Sequence, residues 1–298
     1  MRGPVRHRDD HAAAAAQRAI ADGNKLILGP LLAEDARAVG PIARRAGVPV
    51  ITFSNDVSVA GGGTFLLGYA PQQSIGRVVA YAAGRGIRDF GALVPNGLYG
   101  ERASTALLRA VESNGGQVIS LQSYDRQPGA LTAAITRLAK AGPLQAILIA
   151  DSGGVSATAV PIIRRTAGGS TQILGTDQWN TEASVAAAPA LQGAWFASVS
   201  DGLYRQYAAR YRSRFGKAPY RLSSLGYDSV LLTVRIMREW PIGTPFPTER
   251  LTDRGGFAGL DGAFRFGADG VAERALEVQE IRGGGTITVS AAPAGFGK

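Results

Sequence analysis

The stretch that most constrains the fold of this sequence is residues 25–56, KLILGPLLAEDARAVGPIARRAGVPVITFSND. Short apolar runs lie at both ends of it, and the central segment 34–46 carries Ala, Glu and Arg, which favour helices. Gly29-Pro30 interrupts the first run, and Gly47 follows the central segment at a position typical of a helix end. The pattern predicts a strand, a helix and a second strand, which form the repeating unit of a parallel α/β sheet.

The same alternation of apolar runs and helix-forming segments continues along most of the chain. Further strands are predicted at 64–70, 90–95, 117–124, 144–150, 171–176 and 193–200, and helices at 11–22, 72–83, 101–113, 129–141, 157–167, 202–215 and 224–239. Beyond residue 241 the pattern changes to a short helix near 247–253 and an antiparallel strand pair that turns at 268–270. Strands that alternate with helices of this length predict doubly wound, parallel α/β sheets.

A weak internal similarity indicates two similar halves. Shifting residues 26–45 by 120 positions matches six of the twenty, among them a Pro within each predicted helix and two Arg near its end. We therefore expect two α/β lobes whose equivalent strand ends line a common cleft. The chain enters at the predicted helix 11–22, whereas a doubly wound sheet normally begins with a strand. The first strand or strands of lobe one are thus expected to be missing from this sequence.

The residue types present exclude several classes of chemistry. The chain has no Cys, and its only histidines are His7 and His11. Disulfides, thiolate chemistry, a His-rich metal site and a Ser-His-Asp triad in the body of the fold are therefore not expected. The formal net charge of +9 comes from scattered Arg and Lys without a long basic run, whereas a nucleic-acid site would cluster them. We expect no cofactor, no metal and no nucleic-acid partner.

Enzymatic activity is not expected either. Glu34 with Asp35, and Asp151 with Asp177, are paired carboxylates, but no activated nucleophile accompanies them. A glycosidase that uses carboxylates alone needs two acids at a set separation across a sugar-binding cleft. The pair Asp151 and Asp177 leaves that alternative open, and a non-enzymatic domain remains the main interpretation.

Four segments together resemble a known family. They are LILGPLLAEDARAVGPIARRAGVPVITFSND, VPNGLYGERA, ILGTDQWN and SLGYDSVLLTVRIM. Their order and spacing resemble the leucine/isoleucine/valine-binding type of periplasmic binding protein (type I fold) over residues 12–282. Within that family the sequence is most similar to the penicillin-binding protein activators, lipoproteins that stimulate peptidoglycan synthases.

The resemblance implies two α/β lobes joined by crossing segments, with the first strands of lobe one missing. Lobe one would comprise 1–84 and 201–240, lobe two 85–200 and 241–290, and 291–298 would form a tail. The location implied is periplasmic or outer-membrane-associated. The sequence shows neither an apolar run of membrane-spanning length nor the apolar region of a signal peptide, so an export signal and a lipidated Cys would have to lie upstream.

In lobe one, the resemblance points to the ends of two strands as ligand-binding positions. Small hydroxyl residues there hold the ligand carboxylate in amino-acid receptors of the family, and helix N-terminal amides assist them. At the first end, Glu34 and Asp35 stand in place of the hydroxyl residues, and they fit better as carboxylates that complement the helix dipole. Ser54 and Asn55 match the second end, where they could contact a ligand or simply form a turn.

In lobe two, the resemblance implies that Tyr99 covers the ligand and that Asp177 faces its ammonium group. Trp179 could stack on a ligand or form part of a partner surface, and the alternative is a half-buried loop tryptophan. Asp151 and Ser152 lie at another predicted strand end, where Ser152 could act only as the cap of the following helix. An ordinary surface tyrosine beside a turn remains the alternative for Tyr99.

Two functions follow as expectations. The first is a regulator of peptidoglycan synthesis that binds a penicillin-binding protein, favoured by the departure at Glu34 and Asp35. The alternative is the substrate-binding protein of a branched-chain amino-acid ABC transporter, which would contact the membrane subunits of that transporter and close its lobes on a small ligand. Ser54, Tyr99 and Asp177 support this alternative.

Overall fold

The structure is a computed structural model that describes residues 4–181, 183–293 and 295–296. The helices and strands in chain order are α1 (Pro4–Ala21), β1 (Ile27–Leu28), α2 (Ala33–Arg45), β2 (Val50–Thr52), β3 (Thr64–Leu66), α3 (Pro71–Ala83), β4 (Asp89–Pro95), α4 (Leu98–Ser113), β5 (Gln117–Tyr124), α5 (Ala130–Lys140), β6 (Ala146–Ile149), α6 (Gly153–Thr166), β7 (Gln172–Gly175), α7 (Ala183–Ala187), β8 (Trp195–Ser198), α8 (Gly202–Phe215), α9 (Ser223–Met237), β9 (Phe257–Gly259), β10 (Gly262–Phe266), β11 (Ala272–Arg274), β12 (Glu277–Arg282) and β13 (Gly285–Ser290). Short 3-10 helices cover Val57–Val59, Asp177–Thr181, Pro189–Leu191 and Thr248–Thr252.

These elements form two compact units. Unit 1 comprises Met1–Ala70, Ser200–Ala275 and Pro293–Lys298, and unit 2 comprises Pro71–Val199 and Leu276–Ala292. The alternation of strands and helices predicted from the sequence is present in both, so the α/β class is confirmed.

Unit 1 contains a small parallel sheet with the strand order β1-β2-β3. Neighbouring residues of β2 point to opposite faces of this sheet. Val50 packs in the cluster that holds Val39 of α2 and Ala16 of α1. Ile51 packs on the other face, in a larger cluster that includes Leu232 of α9. The sheet therefore has helices on both sides, as expected for parallel strands.

A second sheet of unit 1 is antiparallel, with the order β9-β10-β11. The predicted turn at 268–270 joins β10 to β11, and Phe264 and Phe266 of β10 complete the core under α9. The strand that follows, β12, does not continue this hairpin, because it pairs with β8 and β13 in unit 2. The region expected to form one antiparallel pair thus forms three strands, with β10 and β11 in one sheet and β12 in the other. The strand β13, which was not expected, pairs with β12.

Unit 2 is built on a seven-stranded sheet with the order β13-β12-β8-β7-β6-β4-β5. Strands β5, β4, β6, β7 and β8 are parallel, and β12 and β13 add antiparallel strands at one edge. Successive residues of β4 again point to opposite faces: Ala92 contacts the cluster with Ile75 of α3, and Leu93 contacts the cluster with Ile135 of α5.

The division into units differs from the boundaries expected from the sequence in two places. The helix α3 was expected in lobe one, but it lies in unit 2 because Val78 and Val79 pack against the β4 face of the large sheet. Residues 241–275 were expected in lobe two, but they lie in unit 1 because the aromatic side chains Phe257 and Phe264 fill the core under α9.

The internal similarity has a structural counterpart. Helices α2 and α6 each contain a Pro, and each carries two Arg in the last turn, where positive charge complements the helix dipole. Their N-termini differ, because Ser152 caps α6 by accepting a hydrogen bond from the Val155 amide, whereas Leu32 at the start of α2 makes no side-chain cap.

Candidate ligand-binding site

The carboxyl ends of β4, β5, β6 and β7 lie along one edge of the unit 2 sheet because these strands are parallel neighbours. In open α/β sheets, ligands bind outside this edge. The side chains that follow the four strands include Tyr99, Arg126, Asp151 and Asp177. They are the polar groups from which a site in unit 2 can be built.

Asp177 is the acid best placed to contact a ligand. It is partly exposed at the start of the 3-10 helix that follows β7. The hydroxyl of Ser74 donates to its Oδ1 over 2.7 Å, which fixes the orientation of the carboxylate. Loss of hydration raises the pKa of Asp177, and the hydrogen bond from Ser74 opposes this shift. A cationic group brought to this carboxylate would stabilise its ionised form.

Tyr99 lies beside this carboxylate. Its phenol donates to Oγ1 of Thr176 over 3.3 Å, and its ring packs against the core of unit 2. Burial raises the pKa of Tyr99, and the negative charge of Asp177 raises it further. The phenol is therefore a neutral hydrogen-bonding group. Of the predicted site residues, the structure brings Tyr99 and Asp177 together.

Asp151 is instead saturated by its neighbours. It is buried, and it accepts hydrogen bonds from the Tyr124 hydroxyl (2.6 Å), from Nη2 of Arg126 (3.2 and 3.3 Å to its two oxygens) and from the Ser152 amide (2.7 Å). Burial and the adjoining carboxylate raise the pKa of Tyr124. Both carboxylate oxygens of Asp151 are therefore engaged, and the side chain links the ends of β5 and β6. The contact of Ser152 matches the alternative in which it caps the following helix, α6.

Trp179 belongs to the core. Its exposed fraction is 1%, its indole N–H donates to the carbonyl of Asp151 over 3.1 Å, and its ring lies against Phe196. Gly175 is needed beneath the ring, because a Cβ there would lie 2.4 Å from the indole. The side chain thus offers no exposed ring face, in contrast to the stacking or surface role expected for it.

Ser54 and Asn55 lie in unit 1, and the other five predicted residues lie in unit 2. Ser54 is 2% exposed, and its hydroxyl accepts from the Asp56 amide over 3.1 Å. Asn55 is exposed. The contacts of Ser54 match the turn alternative, whereas Asn55 remains open to a ligand. Asp56 continues the turn by capping the next 3-10 helix and by pairing with Arg37.

A model of the family described as periplasmic binding protein matches residues 8–286 of the chain. The chain belongs to the periplasmic binding protein family. This match covers both units, and it confirms the resemblance to the leucine-binding type of fold.

Solved structures of the family share the fold at low sequence identity. A leucine-binding protein of Thermotoga maritima is 20% identical with a TM-score of 0.70, over 95% of this chain and 84% of that chain. A periplasmic ligand-binding protein of a branched-chain amino-acid ABC transporter from Burkholderia xenovorans is 16% identical with a TM-score of 0.77, over 96% and 82%. Identities this low establish the fold alone.

A curated relative matches a shorter region. An uncharacterised protein of Rickettsia prowazekii is 26% identical over 130 residues, which are 44% of this chain and 35% of that protein. The chain thus spans about a third of the length of the curated relative it matches. The family model and the two solved structures carry the names of binding proteins, and those names do not mention a penicillin-binding protein activator.

The edge of the unit 2 sheet near Asp177 carries several hydrogen-bonding groups. Asp177, Ser74, Thr176 and Tyr99 provide one carboxylate and three hydroxyl groups within a small region. In the part of the chain that the structure describes, no group of three or more acidic or histidine side chains is arranged to hold a metal ion. Across the same residues, no helix combines the length and apolar character needed to cross a bilayer.

Ser74 is the site residue that the sequence did not indicate. It lies 103 residues before Asp177, on a helix assigned from the sequence to the other lobe. Arg126, which contacts Asp151, was also missed. Its only sequence signal is its position two residues after a predicted strand, at the edge where Tyr99 and Asp177 were sought.

Proposed function

We propose that this chain is the solute-binding protein of an ABC transporter and holds a small amino acid of the branched-chain type, with Asp177 receiving the ammonium group. The observation that supports this most directly is the position of Asp177 at the edge of the unit 2 sheet, where Ser74 holds its Oδ1 and Tyr99 lies beside it. Membership of the periplasmic binding protein family and its transport-type neighbours support the assignment. They also favour an extracytoplasmic location and the membrane subunits of a transporter as partners.

A carboxylate in this position favours a cationic ligand group. Two unit charges attract each other more strongly near a desolvated protein surface than in bulk water. Ser74 fixes the carboxylate before the ligand arrives, so little conformational entropy is lost on binding. The neutral phenol of Tyr99 adds a hydrogen-bonding group without a competing charge. An acid ligand without an ammonium group would lack the main contact.

The test is isothermal titration calorimetry with L-leucine, L-isoleucine and L-valine. The variant Asp177→Asn keeps the shape of the side chain and removes its charge. Because a charged hydrogen-bonded pair contributes about 2–5 kcal/mol, affinity is expected to fall by about 30-fold or more. The matched control Glu112→Gln removes an exposed carboxylate at the far end of α4 in the same unit, and it should bind like the parent.

The pH dependence gives a second readout of the same assignment. Asp177 must be ionised to attract an ammonium group, and its pKa is raised by loss of hydration. Affinity should therefore weaken as the pH falls through that raised pKa, earlier than for an ordinary aspartate. Equal binding of 4-methyl-2-oxopentanoate, which has no ammonium group, or an Asp177→Asn variant with parental affinity, would refute the role of Asp177.

A further inference from the structure

Arg126 is a positive charge at the edge of the unit 2 sheet that also carries Asp177. The residues that directly follow β4, β5, β6 and β7 are 96–98, 125–127, 150–152 and 176–178. They include three acids, Asp125, Asp151 and Asp177, and a single basic residue, Arg126. An anionic group of a ligand that reaches these strand ends therefore has one cation to contact.

A buried carboxylate holds the guanidinium of Arg126 in place. Its Nη2 donates to the two oxygens of Asp151 over 3.2 and 3.3 Å, and Asp151 is only 3% exposed. The Tyr124 hydroxyl and the Ser152 amide donate to the same carboxylate and fix it in turn. Because the guanidinium is already positioned, little conformational entropy is lost when it contacts a ligand.

The rest of the guanidinium remains available. The side chain of Arg126 is 70% exposed, and its Nε and Nη1 make no hydrogen bond with the residues that the structure describes. The neighbouring acid does not engage them, because Oδ1 of Asp125 accepts from the Gln127 amide over 2.9 Å. A guanidinium can present two parallel N–H groups to one carboxylate. Arg126 thus has donors left for an anionic group of a ligand.

Tyr99 lies between this arginine and the acid proposed to bind the ammonium group. Burial raises the pKa of the Tyr99 phenol, and the charges of Asp177 and Asp151 raise it further, so both carboxylates act on one hydroxyl. Asp151 and Asp177 follow the neighbouring strands β6 and β7, which are about 4.8 Å apart. Because Nη2 of Arg126 is 3.2 Å from Asp151, this spacing puts the guanidinium roughly 8 Å from the Asp177 carboxylate.

We propose that Arg126 receives the carboxylate of the amino acid whose ammonium group contacts Asp177. This assignment rests on the transport function proposed above and adds the residue that recognises the other charged end of the ligand. In an α-amino acid the ammonium nitrogen and the carboxylate oxygens are about 3 Å apart, and a charged hydrogen bond at each end adds about 2.8 Å. The resulting span of about 8–9 Å matches the separation of the two side chains. A zwitterion is therefore preferred to a simple amine.

The probes are L-leucine and L-leucinol, which keeps the ammonium group and has a hydroxymethyl group in place of the carboxylate. In isothermal titration calorimetry with the intact chain, the parent should bind L-leucine about 10-fold or more tightly than L-leucinol, because the charged hydrogen bonds are lost. Arg126→Gln should weaken L-leucine binding by about 10-fold or more and leave L-leucinol binding almost unchanged. The variant therefore loses the discrimination between the two ligands.

Two further variants separate recognition of the carboxylate from support of Asp151. Arg109→Gln removes an exposed guanidinium on α4 of the same unit, and it should keep the parental discrimination. Arg126→Lys keeps a charge beside Asp151 but cannot present two parallel N–H groups, so its discrimination should lie between those of the parent and Arg126→Gln. Melting curves report whether each variant folds. If Arg126→Gln does not fold, parental discrimination by Arg126→Lys would overturn the assignment.

Other results would overturn the role of Arg126 and leave the transport function standing. If the parent binds L-leucine and L-leucinol equally, or if Arg126→Gln keeps the parental discrimination, the ligand carboxylate is not held by Arg126. If Arg126→Gln weakens both ligands equally, the side chain only supports Asp151. A parent that binds none of L-leucine, L-isoleucine and L-valine would instead refute the transport function, and the assignment of Arg126 would fail with it.

Discussion

Asp228 gives the sharpest prediction about stability. It lies on the inner side of α9 with 1% exposure. Its Oδ1 accepts the Leu260 amide over 2.7 Å, and Oδ2 is 3.5 Å from the Asp261 amide. Gly259 passes so close that a Cβ there would lie 2.3 Å from the carboxylate. Loss of hydration raises the pKa of Asp228 to about 6, although the Leu260 amide opposes the shift.

The raised pKa makes unit 1 less stable at neutral pH. At a pH below 3.8, the ordinary pKa of an aspartate, the Asp228 carboxyl is protonated in both the folded and the unfolded state. Asp228 therefore contributes nothing to the pH dependence of stability there. As pH rises from 3.8 to about 6, the unfolded state releases the proton first, and stability falls. A difference of about two pKa units corresponds to about 3 kcal/mol. Above pH 6 the penalty is complete and constant.

The variant Asp228→Asn should remove this penalty. Its amide oxygen can still accept from the Leu260 N–H, whereas the long contact with Asp261 is lost. Between pH 3 and pH 8, the unfolding free energy of the variant is expected to rise by about 3 kcal/mol relative to that of the parent.

Urea unfolding at several pH values, followed by circular dichroism with the urea m-values compared, measures this difference. Asp22→Asn, which changes an exposed carboxylate of the same unit, is the control and should track the parent. A difference between Asp228→Asn and the parent that does not change with pH would refute the argument.

Two further predictions concern the sheet edge of unit 2. Gly175→Ala should destabilise the chain by about 1–3 kcal/mol, because the added Cβ overpacks against the indole of Trp179. The expected readouts are a lower melting temperature and altered tryptophan fluorescence. The control is Gly154→Ala, where an added Cβ meets nothing within 4 Å. Ser152→Ala should cost about 1 kcal/mol by removing the cap on the Val155 amide. A larger loss on urea unfolding for Ser152→Gly than for Ser152→Ala would contradict the capping role.

The sequence predicted local structure well because local structure depends on neighbouring residues. Apolar runs of four to eight residues and helix-forming segments closed by Gly predicted elements such as β5, α8 and α5 close to their observed bounds. The same logic placed Asp151 at the end of a strand, whereas Tyr99 and Asp177 were indicated by the family resemblance and also follow strands of the sheet.

The sequence could not predict the contacts made by those residues. The hydrogen bond that orients the carboxylate of Asp177 comes from Ser74, which is 103 residues away in the sequence. Trp179 follows a strand in the same way that a surface residue would, yet Gly175 leaves space for its ring inside the core. The assignment of α3 to unit 2 likewise follows from packing against β4, which no local pattern encodes.

The sequence by itself determined the alternation of strands and helices, the absence of thiol and His-based chemistry from the body of the fold, and the strand ends where polar residues gather. Those properties follow from composition and from periodicity over a few residues. Only the tertiary structure decided that Asp151 is a buried junction, that Ser74 orients Asp177, and that α9 is apolar on its outer side as well. The reason is that burial and hydrogen-bond partners are set by segments that are distant in sequence and meet only when the chain packs.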